Sequence, residues 1–187
     1  MSGILLYVIG ASGSGKDSLM SYARNHLEKD SSIVFAHRYI ARPHDAGGEN
    51  HIALSESEFD ARLERKLFPL YWQSHGMRYG IGSELNHWLA KGLTVVMNGS
   101  RAYLSEASRN YPELVPVLVE VSPEILRARL SSRGRESAAD IESRLQRAHE
   151  FTKLSHVKLL RFSNNAALKE TGQAFVELIR SQAKAIA

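Results

Sequence analysis

Short unbroken apolar runs alternate along the chain with longer stretches in which apolar residues recur every three or four positions. Residues 4–9 form such a run and predict a buried strand. From residue 15 to about 29, Leu19, Ala23 and Leu27 fall on one side of a predicted helix. Ile33–Phe35 predicts a short strand. Ser55 followed by Glu58 has the spacing of a capping box and opens a helix to about Lys66. Residues 68–79 read as short extended pieces and 83–90 as a helix. Residues 94–97 predict another buried strand, and 115–121 a further one, interrupted by Pro116. Ser122 and Pro123 place a cap and a first-turn proline before a helix through Leu130. Ser137 with Asp140 caps the next helix, striped by Ile141, Leu145 and Ala148. Residues 158–162 predict the last strand, and 168–179 lie in the last helix.

This alternation predicts an α/β fold of three layers, a central parallel sheet covered by helices on both faces. The rhythm breaks between about 36 and 82, where the chain is polar and glycine-bearing. That stretch predicts an insertion over the carboxyl edge of the sheet, where ligands bind in such folds. No repeat, low-complexity tract or long linker divides the chain. Residues 1–187 therefore read as a single domain, with a core of 1–35 and 83–187 and the insertion at about 36–82.

Composition narrows the classes. At 187 residues, 43% hydrophobic and 24% charged, the chain has the make-up of an ordinary globular protein. It has no cysteine, which excludes disulfides, thiolate metal sites and a cysteine nucleophile, and suits a reducing cytoplasm. Residues 4–9 are too few for a signal core or a membrane span, so no membrane association is expected. The net charge of +4 is modest. Its arginines gather in particular segments rather than along one stripe, and no nucleic-acid-binding motif is present, so nucleic acid is not an expected partner.

The chemistry begins at "GASGSGKDSL", residues 10–19. Gly10, Gly15 and Lys16 satisfy the G-x-x-x-x-G-K pattern, between a predicted strand and a predicted helix. Gly10, Ser12, Gly13, Ser14 and Gly15 can curl backbone N–H groups around phosphate oxygens, and the helix N-terminus adds its dipole. Lys16 is expected on the β- and γ-phosphates of ATP and Ser18 on a phosphate. Where a hydroxyl usually follows the lysine, this chain has Asp17. A carboxylate is a hard oxygen ligand suited to Mg²⁺, directly or through a bound water. The other reading is a first-turn acid favoured by the helix dipole. P-loop enzymes commonly hold Mg²⁺ with an acid on a later strand. Here the strand at 94–97 runs into Asn98, Gly99, Ser100 and Arg101, with no acid. Asp17 is therefore expected to supply the missing charge.

A second group of cations follows. Arg129, Arg133, Arg135 and Arg144 lie in or beside "RGRESAADIESRLQR" at 133–147. Phosphoryl transfer needs cations on the moving group's oxygens, and arginine's forked donors suit that task. Arg133 and Arg135 flank Gly134 between two helices and read as a lid at about 131–147. Charged helix faces paired with Glu136, Asp140 and Glu142 explain Arg127 and Arg147 well, and Arg133 and Arg135 on a glycine hinge less well. Arg38 and Arg42 stand four apart and, in an extended segment, can face one pocket for an anionic substrate. His37, His44 and His51 are too irregularly spaced for a metal site. Tyr79 reads either as a phosphate-binding hydroxyl or as core.

Together these stretches resemble the guanylate-kinase-like branch of the nucleoside monophosphate kinases over nearly the whole chain. The likeness rests on "GASGSGKDSL", "ARP…GGENHIALSESEF", "HGMRYG", "RLSSRGRESAADIESRL" and the asparagines at 164–165. It implies a P-loop kinase fold with an acceptor-binding insertion and an arginine lid. It also implies ATP and Mg²⁺, Lys16, Arg133 and Arg144 in catalysis, Arg129 and Asn164 on the nucleotide, and Arg38, Arg42 and Tyr79 on the acceptor's phosphate. The family's guanine-reading acid falls at Leu70 here, the threonine expected after Gly80 is Ile81, and no acid stands near Asn98. These departures, with "AHRYIAR" and "NGSRA", resemble those members that phosphorylate a sugar bisphosphate, ribose 1,5-bisphosphate, to 5-phosphoribosyl 1-diphosphate. Arg101 is then a further acceptor contact. A guanylate kinase with another base pocket and a non-catalytic binding module stay open, as does a homodimer.

Overall fold

The computed structural model describes residues 3–42, 51–74, 76–132 and 137–184. Along the chain the strands are β1 (Leu5–Gly10), β2 (Ile33–Phe35), β3 (Arg38–Ile40), β4 (His51–Ala53), β5 (Leu70–Ser74), β6 (Met77–Ile81), β7 (Thr94–Asn98), β8 (Val115–Glu120) and β9 (Leu160–Ser163). The helices are α1 (Lys16–Leu27), α2 (Glu56–Glu64), α3 (Glu84–Ala90), α4 (Leu104–Asn110), α5 (Pro123–Ser132), α6 (Ala138–Thr152) and α7 (Leu168–Lys184).

The main sheet has the order β2-β7-β1-β8-β9, and every adjacent pair is parallel. Its central strand β1 alternates between two cores. Leu5, Tyr7 and Ile9 pack with Leu85 and Leu89 of α3 and with Leu104 and Ala107 of α4. Leu6 and Val8 face the other way, onto Leu19 and Ala23 of α1 and Phe175 and Ile179 of α7. This is the three-layer arrangement expected from a strand buried on both faces. Each such side chain contributes roughly 1.5–3 kcal/mol by leaving water.

Pro116 does not interrupt its strand. It is the second residue of β8, opposite Tyr7, and pairing with β9 begins only at Val117. A proline near a strand's start can lack its N–H without breaking a ladder already formed on both sides. Helix α2 carries the expected capping box between Ser55 and Glu58. It stops short of Lys66, whose φ of 55° lies in the left-handed region.

Residues 38–81 supply a second sheet, in the order β4-β3-β6-β5, with β3–β4 parallel and the other pairs antiparallel. The strands β3 and β4 and the helix α4 are too short to show a clear period in the sequence. The segment 43–50 and Arg133 and Arg135 lie outside the described residues. Among the described residues no helix is long and apolar enough to cross a membrane.

Candidate active site

The loop between β1 and α1 lines one side of a cleft of about 610 Å³, a size suited to small ligands. Gly15 is where this loop demands glycine. Its φ is +81°, and a Cβ there would stand 2.5 Å from Nδ2 of Asn164. That close approach is part of a clamp. Nδ2 of Asn164 donates to the Ser14 carbonyl at 2.7 Å, and Nη1 of Arg129 donates to the same oxygen at 3.1 Å. Nη2 of Arg129 also donates to the Asn164 carbonyl at 2.9 Å. Arg129 and Asn164 were expected on the nucleotide. The structure instead places both beneath the loop, outside the cleft lining, where they hold its backbone. The Ser14 side chain is turned away too: its Oγ is buried with no hydrogen-bond partner and points toward Gly10.

Lys16, Asp17 and Asn98 form a triangle at the loop's end. Nζ of Lys16 donates to Oδ1 of Asn98, and to Oδ1 of Asp17 at 3.1 Å. Nδ2 of Asn98 donates to the same Asp17 oxygen at 3.0 Å. Burial pushes the Asp17 carboxyl upward, but the charge and bond of Lys16, the charge of Arg38 and the Asn98 bond outweigh it. Its pKa is therefore held below the usual carboxylate range. Both bonds use Oδ1, which leaves Oδ2 for a hard cation or its bound water. No cluster of three acidic or histidine ligands exists among the described residues. A lone carboxylate still fits Mg²⁺, which keeps several waters and takes further ligands from substrate phosphates.

The facing wall comes from the second sheet and from the segment after β7. Arg38 of β3 lies over the Tyr79 ring at 4.6 Å and near Trp72 at 6.0 Å. Trp72 stacks on Tyr79 and on Tyr103, each at 5.6 Å. Tyr79 is thus a ring beneath an arginine, and its hydroxyl meets Sδ of Met77 at 3.8 Å. The two departures noted at Leu70 and Ile81 are cross-strand partners, both fully buried. The next facing pair on that side is Trp72–Tyr79, and both line the cleft. This wall is therefore apolar and aromatic at the position where the resemblance to guanylate kinases places Leu70 instead of a guanine-reading acid.

Arg42 does not join Arg38. Its N–H bonds to the Ile40 carbonyl at 2.8 Å, a tight turn that ends the alternation of β3. The Arg42 side chain meets Nδ1 of His51 at 3.4 Å and is not among the residues that line the cleft.

Helix α6 closes the third side. Its start is capped as expected, with Asp140 N–H donating to Oγ of Ser137 at 3.2 Å. Nη1 of Arg144 donates to Oγ of Ser12 at 2.8 Å, directly across the loop. Arg147 also lines the cleft while staying exposed to solvent. Its spacing of three from Arg144 on one helix was the available signal. Arg127 does pair outward, with Glu142. Arg101 lines the cleft and donates to Oε2 of Glu150 at 3.0 Å. Sequence reasoning missed Trp72, Ser74 and Ser100 as lining residues. Alternation along β5 relates Trp72 and Ser74 to Leu70 and was the signal for both.

A phosphate loop on a parallel sheet, closed by arginines from a following helix and facing an inserted second sheet, defines a P-loop kinase of the nucleoside monophosphate kinase type. The fold matches guanylate kinase from Anaplasma phagocytophilum with a TM-score of 0.67 at 16% identity, covering 97% of this chain and 86% of that one. A gluconokinase from Sinorhizobium meliloti follows at a TM-score of 0.51 and 18% identity, covering 98% and 95%. No protein-family model matches the chain. Among curated relatives, the ribose 1,5-bisphosphate phosphokinase PhnN of Desulfomicrobium baculatum is 56% identical over 175 residues, covering 94% of this chain and 93% of its own. That of Thiobacillus denitrificans is 56% identical over 177 residues, covering 95% and 93%. That of Psychromonas ingrahamii is 50% identical over 181 residues, covering 97% and 92%. The chain belongs to the ribose 1,5-bisphosphate phosphokinase family.

Proposed function

We propose that this protein transfers the γ-phosphoryl group of ATP to the 1-phosphate of ribose 1,5-bisphosphate, releasing ADP and 5-phosphoribosyl 1-diphosphate. The observation that carries the reading is the charge and shape of the cleft. Among its described lining residues stand five cations, Lys16, Arg38, Arg101, Arg144 and Arg147, and one acid, Asp17. Such a cleft suits two polyphosphorylated ligands. The aromatic wall of Trp72 and Tyr79, backed by Leu70 and Ile81, supplies no carboxylate for the N–H groups of guanine. A base whose donors are left unpaired in such a pocket loses orders of magnitude in kcat/KM.

The acceptor is a phosphate oxygen, already a nucleophile near neutral pH, so the transfer needs no general base. The protein's work is alignment and charge neutralisation. Loop N–H groups and Lys16 hold the ATP phosphates. Arg144, which reaches Ser12 across the loop, is assigned to the charge that builds on the equatorial oxygens of the moving group. Arg133, outside the described residues, is assigned the same task. Arg38 and Arg101 orient the sugar bisphosphate beside Tyr79, and Arg42, outside the cleft lining, would reach the acceptor only by leaving His51. Asp17 would hold Mg²⁺, which when bound would neutralise charge on the phosphate oxygens of ATP. Arg129 and Asn164 serve the nucleotide by fixing the loop.

Phosphorus NMR with Mg-ATP, and either ribose 1,5-bisphosphate or GMP as acceptor, tests the reading. New diphosphate signals only in the first tube, with ADP in step, are expected. GDP formation would overturn the assignment of the acceptor wall.

A further inference from the structure

Asn98 ends β7, the strand whose end commonly carries a metal-holding acid in P-loop enzymes. It is 4% exposed, and its amide is oriented by contacts to Lys16 and Asp17. The oxygen accepts from Lys16, and the nitrogen donates to Oδ1 of Asp17 at 3.0 Å. The usual arrangement puts a hydroxyl after the lysine and a carboxylate on the strand. Here the carboxylate follows the lysine and a neutral side chain ends the strand. Both side chains meet, so they occupy one locus from two directions.

We propose that positions 17 and 98 have exchanged roles. Asp17 carries the negative charge for the metal, and Asn98 is the positioning residue that holds the carboxylate's rotamer and keeps Oδ2 turned out. This rests on the reading of Asp17 as the metal-holding acid. The exchange explains why Asn98 is neutral. A carboxylate there would face Asp17 at hydrogen-bond distance with no proton between them, and two like charges so close repel strongly in a half-buried site. It also explains why the amide nitrogen points at position 17. A side chain with only acceptor atoms cannot donate to Asp17.

Mn²⁺ binding in the presence of ADP, read by electron paramagnetic resonance, tests the exchange without turnover. Asp17→Ser is expected to weaken Mn²⁺ by about tenfold or more, the usual scale for losing a metal-site group. Asp17→Ser combined with Asn98→Asp is expected to regain most of that affinity. Parental affinity in Asp17→Ser would remove the metal reading of Asp17 itself. A loss in the single variant that the double variant does not regain would leave that reading standing and overturn the exchange. If the double variant does not fold, Asn98→Asp alone decides. The exchange requires that its melting temperature without metal fall below the parent's and that Mn²⁺ raise it more than it raises the parent's. An equal or smaller metal-induced rise would overturn the proposal.

Discussion

The Tyr7 phenol satisfies both backbone groups of Ser100. It donates to the Ser100 carbonyl at 3.0 Å and accepts from the Ser100 N–H at 2.9 Å. The ring fills the space beside Gly99, where a Cβ would stand 2.3 Å from Cε1. A core residue of the central strand thereby fixes the segment that carries Arg101 into the cleft. Burial raises the phenol's pKa far above its ordinary value, so it remains a donor across the working pH range.

Tyr7→Phe should leave both Ser100 groups without this partner and destabilise the protein by ~1–3 kcal/mol, read from urea unfolding. The kinetic signature separates positioning from packing. KM for the acceptor should rise while KM for ATP stays near the parent's. An equal rise in both would show that Tyr7 does not act through the acceptor wall.

Asn164→Ala should loosen the phosphate loop from beneath. It removes a buried donor to the Ser14 carbonyl and leaves Arg129 as that oxygen's remaining side-chain partner. Loss of ~1–3 kcal/mol of stability is expected, with weaker ADP binding by calorimetry. Unchanged ADP affinity would mean that the loop holds its shape without the clamp.

The sequence made the donor side of this site legible because its signals are local. The strand, the glycines, Lys16 and the helix start lie within fourteen residues of chain, and G-x-x-x-x-G-K needs no distant partner. The clamp under the loop was not legible. Arg129 and Asn164 meet Ser14 across separations of 115 and 150 residues, so only the folded sheet brings them there. The acceptor side was half legible. Arg38 was found from its charge, but the turn from Ile40 to Arg42 that sends the Arg42 side chain to His51 leaves no pattern in the sequence. Trp72 was missed because residues 68–79 read only as short extended pieces, with no strand whose alternation could assign it a side.

Acid should act on Asp17 in a defined direction. Its pKa is lowered in the folded chain, so its charged contacts stabilise the protein fully above the unfolded value of about 4. That contribution is lost as pH falls through the depressed native value. Melting of the ligand-free protein and of Asp17→Asn, compared between about pH 2 and 6, should show a gap that narrows as pH falls below about 4. A gap that widens toward acid would reverse the sign of the Lys16–Asp17 coupling.

Glu150→Gln should release Arg101 from α6. The pair is solvent-exposed enough, at 32% and 56%, to be worth only ~0.2–1 kcal/mol in stability. The melting temperature should therefore barely move, while KM for the sugar bisphosphate falls because Arg101 no longer exchanges one carboxylate for a phosphate. A raised KM would mean that Glu150 orients Arg101 for the acceptor.

The second sheet runs from Arg38 to Ile81 without interruption by any strand of the main sheet, and the chain leaves at Ala36, tied to Val96, and returns at Gly82. Its residues are thus contiguous in the chain. Recombination or drift within that single stretch can alter what is phosphorylated while the apparatus that grips the phosphoryl donor is copied unchanged. The guanylate kinase fold and a sugar-phosphate kinase can in this way share an engine and differ in the fitting bolted to it.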